Sequence, residues 1–147
     1  MSTERPPKTI LLVDDNMGDV RLIQEALKDS TYACEVAVAR DGVEAMAYLR
    51  REGELGQAPF PDLILLDLNM PRKDGREVLA EIKADPKLRH IPVVVLSTSR
   101  SEEDIQRSYE LQVNCYISKS RNVAQLFKIV RGIEAFWLGI ATLPSTL

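Results

Sequence analysis

Apolar positions along this chain come in short blocks separated by polar turns, and one block organises the rest: Leu63-Ile64-Leu65-Leu66-Asp67-Leu68-Asn69-Met70-Pro71. An unbroken apolar run bounded by turn residues predicts a strand buried on both faces, as in parallel sheets. Here that strand spans Asp62 to Leu68. Comparable blocks are Thr9 to Val13, Ile91 to Leu96 and the shorter Cys115 to Ser118. Cys34 to Ala39 alternates instead and predicts a strand at the sheet edge.

Between the strands the apolar spacing becomes helical. Asn16 is placed to cap a first helix with Val20, Ile23 and Leu27 inward. Asp41-Gly42 turns the chain into a second, carrying Val43, Met46, Ala47 and Leu49. Arg51 to Pro61, rich in Gly, Glu and Pro, predicts a loop, and Pro71 to Asp74 a turn. Gly75 to Asp85 predicts a third helix with Val78, Leu79 and Ile82 inward. Ser101, followed by Glu102, Glu103 and Asp104, has the hydroxyl cap and early acids of a fourth. Its inward residues are Ile105, Ser108 and Tyr109. The last helix runs from Asn122 to Leu138.

Five strands alternating with five helices predict an α/β fold: a doubly wound parallel sheet with helices on both faces and right-handed crossovers. A chain of 147 residues is one domain, long enough to bury a full core. Its expected organisation is a polar arm over residues 1–8, a body over 9–138 and a tail over 139–147. A content of 45% hydrophobic and 28% charged residues is ordinary for a soluble protein, and a net charge of −3 lacks the basic footprint of a nucleic-acid binder. No apolar run reaches the roughly 18 residues of a membrane span. The segment Met1 to Lys8 lacks the apolar core of a signal peptide, so a cytoplasmic protein is expected.

The chemistry collects at strand ends. Asp14 and Asp15 follow the first strand, Asp67 closes the third, Ser97 follows the fourth and Lys119 the fifth. A doubly wound sheet gathers them at the rim where open α/β sheets bind ligands. Two unit charges about 4 Å apart interact by roughly 4 kcal/mol at an effective dielectric near 20. Three carboxylates beside one lysine therefore require a further cation. Oxygen ligands without His or Cys suit a hard divalent ion, Mg2+ or Mn2+. The same set makes chemical sense as an aspartyl-phosphate site. Asp67 would be the carboxylate nucleophile, with the metal and Lys119 absorbing charge on the phosphoryl oxygens and Ser97 donating to one of them.

Four separated motifs carry a family resemblance: Leu-Val-Asp-Asp, Leu-Leu-Asp-Leu-Asn-Met-Pro-Arg-Lys-Asp-Gly, Val-Val-Val-Leu-Ser-Thr and Tyr-Ile-Ser-Lys. In this order and spacing, over Ile10 to Ile133, the sequence resembles the receiver domain of two-component response regulators. The resemblance implies a flavodoxin-like (βα)5 fold with strand order 2-1-3-4-5. It implies that Asp67 accepts a phosphoryl group from a phosphohistidine on a histidine kinase. Asp15, Asp67 and the backbone carbonyl of Asn69 would ligate Mg2+, with Asp14 acting largely through water. Lys119 would contact a phosphoryl oxygen. Ser97 and Tyr116 would be the switch, Ser97 moving toward the phosphoryl group and the Tyr116 ring entering the vacated space. With Cys34 and Cys115 on opposite edge strands, about four spacings of roughly 4.8 Å separate them. That is beyond the roughly 7 Å reach of a disulfide, so two thiols are expected.

Two positions depart from the family pattern. Ser97 stands where Thr is more frequent, keeping the hydroxyl and losing the χ1 stiffness of a β-branched side chain. Ser120 stands where Pro usually follows the lysine, often in cis. A cis bond before a non-proline residue costs roughly 2.5–4 kcal/mol, which leaves two shapes for this loop: trans and reshaped, or cis and strained.

The last helix has more apolar surface than one docking face needs. Val123, Phe127, Val130 and Trp137 form one stripe; Leu126, Ile129, Ile133, Phe136 and Ile140 form another. A homodimer through this helix and its neighbours is expected, with Phe136 and Trp137 at the interface and the tail contributing. The competing expectation is a tail folded back over a broad core face. This ending, with Arg-Asp-Gly, Asp-Gly-Arg-Glu-Val-Leu and Val-Asn-Cys-Tyr, is similar to the small single-domain regulators of cyanobacterial phytochrome kinases. It implies a phytochrome-type histidine kinase as phosphodonor, output by protein contact, and self-phosphorylation rather than enzymatic turnover. Two other readings stay open. An Asp-nucleophile phosphatase of the haloacid dehalogenase type wants an acid where Asn69 stands, and a phosphate-independent binding module would have lost an acid or the lysine. His90 and the Arg72-Lys73 turn are expected at the solvent surface.

Overall fold

A computed structural model describes residues 7–29, 31–51 and 60–144 of the chain. Five strands, β1 (Lys8–Val13), β2 (Cys34–Ala39), β3 (Leu63–Leu66), β4 (Val93–Ser97) and β5 (Cys115–Ser118), pair in parallel in the order β2-β1-β3-β4-β5. Helices α1 (Met17–Lys28), α2 (Gly42–Leu49), α3 (Gly75–Ala84), α4 (Glu102–Glu110) and α5 (Val123–Glu134) alternate with them. This is the doubly wound, flavodoxin-like arrangement expected from the sequence.

Strand side chains alternate between two cores. Ile10, Leu12, Leu63, Leu65, Val94 and Leu96 pack against Val20, Ile23 and Leu27 of α1 and Leu126, Val130 and Ile133 of α5. Leu11, Val13, Ile64, Leu66, Val93 and Val95 face α2 and α3 on the other side. Both faces of the central strands are covered, which is why their sequences are continuous apolar runs rather than alternating ones. Each such side chain contributes about 1.5–3 kcal/mol by its burial.

All five helices begin with a side-chain cap. Asn16, Asp41, Asp74, Ser101 and Asn122 accept from backbone N–H groups of the first turns. A cap of this kind is worth about 1 kcal/mol. Because each helix starts just past a strand's carboxyl end, the caps also fix the loops of that rim.

Several boundaries and faces differ from the sequence reading. Strand β4 starts at Val93, since Pro92 has no N–H for the ladder. In α2, Val43 is exposed and Ala47 half-buried, while Ala45, Met46, Tyr48 and Leu49 are buried. Gly42 donates its N–H to the Lys73 carbonyl at 3.0 Å, and this contact sets the rotation of the helix. In α4 only Ser108 is buried; Tyr109 is exposed and Ile105 half-buried, so few apolar contacts hold this helix. Val123, in the first turn of α5, is also exposed.

At Glu134 α5 passes into a π-helical turn, Ala135–Ile140, which carries the helical segment beyond Leu138. In this turn Trp137 and Leu138 are half-buried, while Phe136 and Ile140 face solvent. Farther on, Pro144 joins Pro61, Asp62, His90, Ile91 and Pro92 around a small cleft, so the tail lies beside the amino ends of β3 and β4. The peptide bonds of the described residues are all trans, Lys119–Ser120 included. Cys34 and Cys115 are free thiols on the two edge strands. Among the described residues no helix is long and apolar enough to cross a membrane. Residues 52–59 of the loop, residues 1–6 of the arm and 145–147 of the tail lie outside the described residues, whereas Lys8 already belongs to β1.

Candidate functional site

Sheet register brings the polar strand ends together. Val13 pairs with Leu66, so the residues that follow, Asp14 and Asp67, leave neighbouring strands side by side. Each remains in the ladder: Asp67 N donates to the Val13 carbonyl at 2.9 Å and Asp14 N to the Ala39 carbonyl at 3.0 Å. Ser97 pairs with Ser118, and the next residue, Lys119, donates its N–H to the Ser97 carbonyl at 2.6 Å. On the far side of Asp67, Gly75 N donates to the Leu68 carbonyl at 2.8 Å. A Cβ at Gly75 would run into the Asp67 carbonyl, so only glycine lets α3 begin this close to the carboxylate.

The charges are packed tightly. Asp14, Asp15 and Asp67 can each place an oxygen within 4.8 Å of the other two. Asp14 and Asp67 are buried and Asp15 is exposed. The ammonium of Lys119, a residue only 4% exposed, lies 2.8 Å from Asp14 Oδ2, 2.8 Å from Asp19 Oδ2 and 3.8 Å from Asp67 Oδ2. Asp67 Oδ1 accepts from Leu68 N at 2.8 Å, and Asp14 Oδ1 from Asn16 N at 2.9 Å. Burial pushes the Asp67 carboxyl up to about 6, with Asp14 adding to the rise and Lys119 and the Leu68 and Asn69 N–H groups opposing it. Burial alone would lower Lys119, but Asp14, Asp19 and Asp67 reverse this and raise it.

Three carboxylates, of Asp14, Asp19 and Asp67, thus lie within 3.8 Å of one ammonium, and Asp15 adds a fourth acid to the cluster. A donor set made of carboxylate oxygens, carrying this excess of negative charge, fits a hard divalent cation. The sequence reading did not include Asp19. Its signal was positional: an acid in the first turn of the helix behind β1, next to the inward-facing Val20, comes back toward the rim.

Ser97 and Tyr116 meet at a third residue. Ser97 Oγ accepts from Ser99 N at 3.2 Å, and the half-buried Tyr116 donates its hydroxyl to the Ser99 carbonyl at 2.8 Å. Ser99 Oγ in turn donates to Asp104 Oδ2 at 2.6 Å, and Asp104 forms an ion pair with Arg76 of α3. The Ser99 hydroxyl and the Arg76 guanidinium hold the Asp104 carboxyl below the usual carboxylate range. From sequence Asp104 was legible only as a helix-start acid.

Phe136 and Trp137 stack edge to face with centroids 5.1 Å apart. They line an open apolar groove of ≈ 540 Å³ between β5 and α5, together with Cys115, Ile117, Ile129 and Ile133. Arg72 is exposed, as expected, and Lys73 half-buried, and both are paired. Arg72 pairs with the buried Asp41 and Lys73 with Glu81, tying the turn after Asp67 to α2 and α3. His90 is exposed, as expected, and stacks on Phe60.

Comparison with known proteins agrees with this geometry. Residues 10–131 match the response regulator receiver domain. Response regulator Rcp1 of Synechocystis sp. is 60% identical over 146 residues, 99% of either chain. The solved structure of phosphorylated RcpA, a cyanobacterial phytochrome response regulator, is 68% identical and superposes with a TM-score of 0.93, covering 95% of this chain and 100% of that one. The Mn2+-bound form of Rcp1 is 60% identical with a TM-score of 0.91, over 95% of this chain and 100% of that one. The chain therefore belongs to the response regulator receiver domain family, the phosphorylatable switches of two-component signalling.

Proposed function

We propose that Asp67 is the phosphoacceptor and that its donor is a phytochrome-type histidine kinase. One observation carries the assignment. Asp67 is a buried carboxylate at the end of a central strand, within reach of two further acids and 3.8 Å from a buried ammonium. An Asp67 oxygen attacks phosphorus, the bond from phosphorus to the kinase histidine nitrogen breaks, and its electron pair returns to the imidazole. Lys119 draws toward the phosphoryl oxygens, and the Ser97 hydroxyl donates to one of them. Asp15, Asp67 and the Asn69 carbonyl would hold Mg2+ or Mn2+, with Asp14 acting through water. When bound, the ion neutralises charge on the transferring group. The phytochrome link rests on the likeness to RcpA and Rcp1.

Asn69, two residues past Asp67, supplies no general acid for hydrolysing a phosphoester, which favours uptake of one phosphoryl group over turnover. Output is by protein contact in the cytoplasm, without nucleic acid or membrane partners. The apolar groove with Phe136 and Trp137 supports a homodimer through the last helix and its neighbours. Incubation with an autophosphorylated cyanobacterial phytochrome kinase tests the reading. Label passes to the wild-type chain and not to Asp67→Asn; equal labelling of both rejects it.

A further inference from the structure

We infer that Asp19 is a positioning residue for Lys119: it holds the ammonium in place so that Asp14 is released to serve the metal ion. This rests on the phosphoacceptor reading above. Lys119 is buried, so its charge must be partnered wherever the site stands in its cycle. Its two short contacts, both 2.8 Å, go to Asp14 and Asp19, and Asp67 lies 1 Å farther away at 3.8 Å.

These partners are not equivalent. Asp14 and Asp67 belong to the group of acids whose oxygens converge, so a divalent ion draws on both. A phosphoryl group would occupy an oxygen of Asp67 as well. Asp19 stands outside that converging group, on the first turn of α1, with a side chain 24% exposed against 3% for Asp14. It is therefore the partner that can stay with Lys119 throughout. The capped start of α1 fixes its place, because the Asp19 N–H is the one that Asn16 accepts.

Without Asp19, the ammonium would keep Asp14 as its one short partner. Metal and lysine would then compete for the same carboxylate. Competition for Asp14, whose role toward the ion runs through water, makes the effect of Asp19 on metal affinity conditional on Lys119, whereas a general loss of negative charge or a loosened helix would act with or without the lysine.

The test is a double-mutant cycle on the full chain. Mn2+ affinity is measured by titration calorimetry and electron paramagnetic resonance for wild type, Asp19→Asn, Lys119→Met and the double variant. Circular dichroism checks the fold of each. Asp19→Asn weakens Mn2+ binding by about threefold to tenfold when Lys119 is present. It changes affinity less than about twofold in the Lys119→Met background, and Asp19→Glu recovers most of the loss. The phosphoryl yield with a small phosphodonor falls in parallel. An equal loss in both backgrounds, or no loss in either, overturns the inference. Failure of the wild-type chain to take phosphate on Asp67 would instead reject the reading on which it rests.

Discussion

The Tyr116 hydroxyl donates to the backbone carbonyl of Ser99 at 2.8 Å, tying the fifth strand to the loop that follows the fourth. Ser97 Oγ accepts from the N–H of the same residue. A displacement of Ser97 toward a phosphoryl group therefore pulls on the anchor of the Tyr116 ring. Tyr116→Phe keeps the ring and removes the anchor, a loss of about 0.5–1.5 kcal/mol. The variant should still take phosphate, with a broader distribution of ring positions and a weaker response at α4. Aromatic side-chain NMR with and without phosphorylation measures this, and ring signals identical to wild type would refute it.

Helix α4 buries only Ser108 and is secured at its start by Arg76, Asp104 and Ser99. An element with so few apolar contacts opens at low free energy. Asp104→Asn replaces a charged partner of Arg76 with a neutral one, and the amides of α4 should exchange several-fold faster while those of β1 and β3 stay unchanged. Hydrogen-exchange mass spectrometry reads this directly. Uniform acceleration across the protein would mean global destabilisation instead.

Asp67 carries the pH dependence. Its folded value of about 6 lies above the usual carboxylate range. Between about pH 4 and pH 6 the folded state binds the extra proton, so stability falls as pH rises through that window. The metal-free protein loses about 3 kcal/mol from this group across it. A divalent ion needs the ionised carboxylate, so its affinity rises over the same window by about tenfold per pH unit and levels off above about pH 6. The increase in Tm produced by Mg2+ should accordingly be larger at pH 7.5 than at pH 5. An equal increase at both values would contradict the assignment.

Much of this was legible in the sequence, for physical reasons. Strands buried on both faces leave continuous apolar runs, and a charge ending such a run stands out, which is how Asp14, Asp67 and Lys119 were found. Caps such as Asn16 and Ser101 act locally and could be read locally. Asp19, Ser99 and Arg76 were not legible, because their partners lie in other elements and an acid or hydroxyl near a helix start already has an ordinary explanation. Val43 and Tyr109 were misplaced because helix rotation is set by tertiary contacts, the Gly42 approach to Lys73 among them. The trans peptide after Lys119 resolved a choice that residue types alone left open.

The proposed dimer depends on the groove between β5 and α5. Phe136 is exposed and edge-stacked on Trp137, so Phe136→Ala removes apolar contact surface with little cost to the core. Sedimentation should show the wild type as a dimer, with Phe136→Ala shifted toward monomer. A wild-type monomer, phosphorylated or not, would defeat the proposal.

The central claim is a phosphoryl group on Asp67, and intact mass after incubation with acetyl phosphate and Mg2+ tests it most directly. The expected result is one phosphate adduct per chain, which does not form when the metal is chelated before the phosphodonor is added and is absent from Asp67→Asn. No adduct on the wild type, or an adduct that persists in Asp67→Asn, would contradict the account.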